Sequence, residues 1–329
     1  MISKKIHINL INQGILPNGG LIFEDNILEM LSSEFIKRKI QVIAKKKTFN
    51  KKFSGLPQYI KLVLGALKYC NASVNVVSTR IAISSIFRNL FSKNKTVYVV
   101  HHLDQNDKSK YYRVYNDILF KILTLKLLNV CVVCVSPFFY YILKQKIRHI
   151  PVFLVPNLFP NQLYLSNRLE KNNNKILMGQ YSNKLHPQIF KLAKKLTERG
   201  YYCFFTTLDP SATGKFETYD IKSLSFSEYL NELASSCCSV AFPKINEGWN
   251  RMAHESILLG TPVVGLDMGG LGDLLRESDS YIVTSADEAF QLITNNEIVF
   301  RTPDSFIRKY DISNSAQYLN PLMEFITQN

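Results

Sequence analysis

Two glutamates eight residues apart, Glu247 and Glu255, stand in the segment NEGWNRMAHESILLGTPVVGLDMGGLG, residues 246–272. A carboxylate can accept hydrogen bonds from a pair of sugar hydroxyls, and the free amides at a helix start favour a phosphate. The residues around the two glutamates supply both settings. Asn246 precedes a helix start, Gly248 permits close backbone approach, and Met252, Ile257 and Leu258 give the helix an apolar face. Gly260 ends the helix, Thr261-Pro262 prevents its continuation, and PVVGL reads as a buried strand followed by a GG loop. With Glu247 at the mouth of the helix, Glu255 lies about 12 Å deeper, at 1.5 Å of rise per residue. Two carboxylates at that separation span a nucleotide sugar from its ribose to its transferable sugar.

Other residues able to do chemistry are fewer. His101 and His102 close the run VYVVHHLD at the carboxyl end of an expected strand, where α/β proteins place ligands. One can face a cleft while the other packs, and the sequence leaves open which. Asp104 reads as a ligand contact or simply as the start of the next helix. Gly19-Gly20 follows the first strand and reads as a loop approaching a ligand or as a plain turn. The cysteines, Cys70, Cys131, Cys134, Cys203, Cys237 and Cys238, show no disulfide or zinc spacing. Cys131 and Cys134 form a CxxC inside VCVVCVS, a composition that points to a buried strand and not to a redox turn.

The elements that position these residues come in two series. β-rich runs at residues 6–10, 40–44, 74–78, 96–100, 130–135 and 152–155 alternate with helical or polar stretches, the rhythm of a parallel sheet with crossover helices. The tract FPNQLYLSNRLEKNNNK, residues 159–175, reads as a linker or a partly exposed crossing. A fresh series follows, with strands over 176–178, 202–206, 239–242, 262–266 and 281–283 and helices over 187–199 and 226–235. Residues 313–327 space Tyr318, Leu322, Phe325 and Ile326 as an amphipathic helix does. A chain of 329 residues fits two such domains.

Charge is unevenly divided. Residues 1–165 hold 24 Lys/Arg against 7 Asp/Glu, and residues 166–329 hold 16 against 19. A basic half suits an anionic partner: a membrane surface, a phosphorylated acceptor or nucleic acid. The basic-aromatic tract 45–69, opening on Lys45 and closing on Tyr69, reads as a contact for anionic lipid or as an ordinary loop leading into a helix. No secretory signal is legible at the start, and the longest apolar stretch, 130–143, is interrupted by Ser136-Pro137 and is too short to span a bilayer. The expected location is cytoplasmic, with a peripheral position on the inner face of the cell membrane.

The segment 246–272 resembles the donor-binding motif of glycosyltransferase family four, retaining enzymes of GT-B architecture. The resemblance rests on Glu247 and Glu255 as the family's E-x7-E, followed by GTPVV and the GG loop. It implies an α/β fold of two Rossmann-like domains facing across a cleft: an acceptor-side domain over 1–160, a donor-binding domain over 161–312, and a helix, 313–329, crossing back onto the first. It assigns Glu255 to the ribose hydroxyls and Glu247 to the donor sugar near its reacting carbon. Gly19-Gly20 resembles the family's glycine loop, and VVHHLD the strand end where a histidine contacts the transferred sugar. Ser136 in CVSPFF and Pro156-Asn157 in LVPN match the close of the first domain. Where the family commonly has Gly-Arg and a lysine for the diphosphate, this chain has Gly179, Gln180 and an earlier Lys184. Arg251 or Lys244 is the expected replacement for the missing charge. Gly248 keeps its place beside the donor, and Trp249-Asn250 replaces a usual Phe-Gly pair.

The implied reaction moves a sugar from a nucleoside diphosphate sugar, UDP- or GDP-linked, to a saccharide or lipid-linked acceptor with retention of configuration. The resemblance implies no metal and no cofactor beyond the donor, and a role in bacterial surface polysaccharide or glycolipid synthesis. Rivals are an epimerase-like GT-B enzyme, a phosphorylase, and a non-catalytic basic binding protein. No nucleic-acid motif is visible, so nucleic acid is not an expected partner. NQGILPNGG lacks the G-x-G-x-x-G of a dehydrogenase.

Overall fold

The protein is described from a computed structural model over residues 5–13, 19–49, 56–101, 110–126, 129–182 and 184–328. Two compact units divide it, Met1–Pro156 with Ser315–Asn329, and Asn157–Asn314.

Six parallel strands carry the first unit: β1 (Lys5–Gln13), β2 (Gln41–Phe49), β3 (Val74–Val77), β4 (Lys95–Val100), β5 (Val130–Cys134) and β6 (Val152–Leu154). They lie in the order β2-β1-β3-β4-β5-β6, and each falls on an expected β-rich run. Strand order reverses between β1 and β3, which opens a crevice at their carboxyl ends. The alternating helices are α1 (Gly19–Lys37), α2 (Leu56–Leu67), α3 (Ala82–Asn89), α4 (Lys110–Leu123) and α5 (Pro137–Lys146). Leu62, Ile86, Leu119 and Leu143, one from each of α2 to α5, join Ile11, Val77, Tyr98 and Val132 in a single core. The alternate strand positions Ile8, Leu10, Val76 and Val97 are equally buried, as a parallel sheet covered on both faces requires. β5 is buried throughout, and Cys131 and Cys134 on it are free thiols, so the CxxC is a strand as expected.

Seven strands carry the second unit: β7 (Asn172–Gln180), β8 (Tyr202–Thr207), β9 (Gly214–Lys215), β10 (Asp220–Ser223), β11 (Ser236–Ala241), β12 (Val263–Leu266) and β13 (Tyr281–Val283). Their order is β13-β12-β11-β7-β8-β10-β9, parallel except where β9 pairs with β10. The switch point here is between β7 and β11. The helices are α6 (Asn161–Leu165), α7 (Gln188–Thr197), α8 (Phe226–Ser235), α9 (Arg251–Leu258), α10 (Gly270–Glu277), α11 (Ala286–Thr294) and α12 (Asp304–Lys309). The last helix, α13 (Ser315–Thr327), belongs to the first unit, where it packs on α1 and β6 and buries Leu319, Leu322, Met323, Phe325 and Ile326.

Three readings of the sequence change. The tract 159–175 is not a linker: Phe159 bridges Asp311, α6 buries Tyr164, and β7 begins at Asn172. Its asparagines concealed this, since Asn161 is held from outside the tract, donating through its side chain to the Ile307 carbonyl and through its backbone to Asp311 Oδ2. β9 and β10 were not foreseen, being too short to show a period. The donor-side helix starts at Arg251 and not after Asn246, because Asn250 is its cap and accepts from the Ala253 amide at 2.9 Å.

Candidate functional site

The loop joining β11 to α9 crosses the switch point of the second unit. It is tied to the loop after β7 by backbone bonds, His186 N to the Phe242 carbonyl at 2.9 Å and Lys244 N to the Lys184 carbonyl at 2.7 Å. Gly179, at the end of β7, takes φ +96°, and a Cβ there would stand 3.4 Å from the Val240 carbonyl. Gln180 and Lys184 beyond it are exposed. Glu247 sits in the loop, outside the helix, so the separation of about 12 Å along one helix does not apply. Its backbone bridges Gly269, and its carbonyl accepts from Gly270 N at 2.7 Å. Gly269 has φ +58°, and any Cβ would come within 2.7 Å of the Glu247 carbonyl. The GG loop therefore serves to let this backbone close on Glu247.

Asn250 has two functions. While its oxygen caps α9, its Nδ2 donates to Glu247 Oε2 at 2.7 Å. Burial pushes the Glu247 carboxyl above its ordinary range, against the Asn250 bond and the field of Lys184. Lys184 is thus a cation within electrostatic reach of Glu247. The first-turn amides of Arg251 and Met252 have no partner inside the helix, which leaves them for an anion.

Glu255 is buried, 3% exposed, and both its oxygens are engaged. Tyr164 OH donates to Oε1 at 3.1 Å, Arg251 Nε to Oε1 at 2.7 Å, and Tyr229 OH to Oε2 at 2.7 Å. Arg251 also lies over the Phe159 ring, 5.2 Å from its centroid. The arginine expected to face a diphosphate is in this structure the counter-ion of Glu255. Trp249 is turned inward: its indole N–H donates to His254 Nδ1 at 3.0 Å, amid Phe159, Phe306 and Tyr310. Desolvation, aided by Arg251, pushes His254 down to about 3, so the ring is neutral and can accept from Trp249.

In the first unit His101 follows β4 at its carboxyl end, with its ring edge-on to Phe23 at 5.4 Å. Nε2 lies 3.1 Å from Oε1 of Glu24, on α1. With the carboxylate accepting, Nε2 carries the hydrogen. Glu24 Oε2 and both amide atoms of buried Asn12 are without hydrogen-bond partners. Unpaired buried polar atoms are rare, and these stand at the carboxyl side of the sheet. Gly19 and Gly20 open α1. His102 and Asp104 lie outside the described residues.

Several solved structures share this architecture across the whole chain. Sucrose-phosphate synthase from Thermosynechococcus elongatus is 14% identical, with 97% of this chain and 98% of that one covered at a TM-score of 0.71. HepE from Anabaena, in complex with UDP and glucose, is 14% identical over 97% and 99% of the two chains, at 0.68. UDP-GlcNAc 2-epimerase from Methanocaldococcus jannaschii is 12% identical over 97% and 100%, at 0.58. The chain has the GT-B fold. No family model matches the sequence, and no curated protein matches it.

Within the GT-B fold the structure gathers Gly179, Glu247, Asn250 and Lys184 at one switch point, and places Gly19-Gly20 and His101 at the carboxyl side of the first unit's sheet. Sequence reasoning missed three residues that bond to Glu255 and His101. Tyr164 was hidden in the tract read as a linker, Tyr229 lies on the inner face of an expected helix, and Glu24 carries no motif. No group of three or more His, Cys, Asp or Glu is arranged to hold a metal among the described residues. No helix there is long and apolar enough to cross a membrane.

Proposed function

We propose that the protein transfers a sugar from a nucleoside diphosphate sugar to a hydroxyl acceptor. The observation that carries the reading is the placement of Glu247 and Glu255 before and within α9, beside the switch point of the second unit. The diphosphate takes the first-turn amides of α9 and the charge of Lys184. Glu247 accepts hydroxyls of the donor sugar, and Glu255, by exchanging a tyrosine bond, accepts those of the ribose. The likeness to HepE, solved with UDP and glucose, supports this reading and favours a uridine donor, with guanosine the other choice. In the first unit His101, held by Glu24, is the candidate for binding a sugar hydroxyl. The departing diphosphate takes the proton of the acceptor hydroxyl, and the sugar keeps its anomeric configuration. The acceptor is a saccharide or a lipid-linked hydroxyl of surface polysaccharide or glycolipid synthesis.

The likeness to UDP-GlcNAc 2-epimerase supports one second reading, an epimerase on the same donor site. Nuclear magnetic resonance of the protein with UDP- or GDP-hexoses, with and without glycolipid and oligosaccharide acceptors, separates them. Acceptor-dependent appearance of a glycoside of the donor's configuration is the expected outcome. An inverted glycoside rejects retention, and a new nucleotide sugar formed without acceptor selects the epimerase.

A further inference from the structure

The second unit gathers a group of reactive side chains at the end of its sheet opposite Glu247. β7, β11 and β12 begin there, and Lys171, Cys237, Cys238 and Thr261 stand at or just before their first residues. β11 is irregular at this point: while it advances from Ser236 to Cys238, its partner β7 advances from Asn172 to Ile176. The alternation of faces expected of a strand is broken, and Cys237 packs against the same core as its neighbour Cys238. Cys238 is buried, whereas Cys237 keeps part of its surface in solvent.

Lys171 supplies a charge that lacks a carboxylate. Its Nζ donates to the Ala234 carbonyl at 2.5 Å, the Leu259 carbonyl at 3.2 Å and Thr261 Oγ1 at 2.6 Å, all neutral acceptors. Among the described residues no Asp or Glu pairs with it. Burial and the field of Arg168 push this ammonium down to about 8, so at neutral pH it is still a cation. A half-desolvated cation is costly without a counter-ion, and the group placed to serve as one is the Cys237 sulfur. The Cys238 S–H, directed at that sulfur, holds the Cys237 thiol below its ordinary value, and Lys171 adds to this against the cost of burial. The other cysteines are the reverse. Burial pushes Cys70, Cys134 and Cys203 up to about 12 and Cys131 well up, and Cys238 is raised by Cys237 and by burial. No internal disulfide fits Cys237: adjacent Cα atoms are about 3.8 Å apart, below the usual range, and Cys203 lies two strands away across Ile176, about 9.6 Å, beyond it.

We propose that the cluster of Lys171, Cys237 and Cys238 is a thiol-exchange site, at which Cys237 is modified by a small disulfide bearing carboxylates. Lys171 and the exposed Arg168 favour the negative charge of such a reagent. The Cys237 thiolate, its proton already lost to solvent, attacks one sulfur of the disulfide. A new S–S bond forms at Cys237, the old one breaks, and the second half leaves as a thiolate. With no internal partner to resolve it, the mixed disulfide persists until an external thiol reverses the exchange. The inference does not depend on the sugar-transfer reading.

Titration of the folded, reduced chain with the dianionic disulfide dithiobis-nitrobenzoate and with neutral dithiodipyridine, followed by peptide mass spectrometry, tests it. One equivalent of thiol should be released at least about tenfold faster than the rest, its adduct should map to Cys237, and dithiothreitol should remove it. Cys237→Ser should lose the fast equivalent and Cys203→Ser should keep it. Lys171→Gln should slow the dianionic reagent at least about threefold, since a tenfold smaller thiolate fraction is offset about threefold by greater nucleophilicity. Salt should slow the dianionic reagent more than the neutral one. Absence of any fast thiol in the folded chain, or an adduct on another cysteine, overturns the proposal. So does a Lys171→Gln variant that melts and reacts as the wild type does. If that variant melts lower, the wild type decides, and equal salt dependence of the two reagents rejects the cationic site.

Discussion

Glu247 is the residue at which function and stability pull apart. Burial raises its carboxyl above the ordinary value, so the folded state holds the proton more tightly than the unfolded chain does. That advantage is full below the ordinary carboxyl pKa of 4.5 and is lost as pH rises through the raised value. Glu247→Gln, which never ionises, should therefore melt higher than the wild type at neutral pH, with the gap closing as pH falls toward 4.5, while kcat drops about 10²-fold. A gap that is constant with pH would show that Glu247 ionises freely. Glu255 contributes to stability through the bonds it accepts. Glu255→Ala leaves Arg251 and two tyrosine hydroxyls without their acceptor, and should cost about 3 kcal/mol in urea unfolding. Glu255→Gln keeps the shape and should cost less. The glutamate pair was legible because its chemistry is local in sequence. The tyrosines on Glu255 and the Glu24 beneath His101 were not, since they arrive from 91, 26 and 77 residues away.

At the scale of elements, the turn from β12 into α10 is the most constrained piece of the site. Gly269→Ala puts a Cβ within 2.7 Å of the Glu247 carbonyl at φ +58° and should destabilise the chain by about 2 kcal/mol or more, displacing Glu247 as it does so. Gly200→Ala is the control: φ is +87° but no atom lies within 4 Å of the new Cβ, so only backbone strain of about 1 kcal/mol is expected. Equal unfolding free energies for the two would show that close approach is not what Gly269 provides. The helix stop at Gly260, with φ +72°, was readable from GTP, as were eleven of the strands from β-branched runs. The helix start was not, because Asn246 and Asn250 are equally good caps by residue type and only the bond that Asn250 accepts from the Ala253 amide separates them.

The whole molecule consists of two units with separate cores, and α13 returns the chain to the first of them. Truncation before Ser315 removes five buried apolar side chains from the first unit, a loss of about 10 kcal/mol or more, and should abolish that unit's calorimetric transition while the second unit keeps its nucleotide affinity. The two-unit α/β plan was legible from the doubled strand rhythm, whereas the exchange of α13 was foreseen only through the family resemblance. The central claim, that the second unit holds a nucleoside diphosphate at the start of α9, is tested most directly by melting the protein with uridine, guanosine, adenosine, cytidine and thymidine diphosphates in turn, beside Lys184→Glu. Lys184 is exposed, so the variant should fold unaltered. One diphosphate, uridine or guanosine, at about 100 times its dissociation constant should stabilise the wild type by about 2.7 kcal/mol, and Lys184→Glu should lose most of that. No stabilisation by any of the five, in a chain that melts cooperatively, would contradict the site.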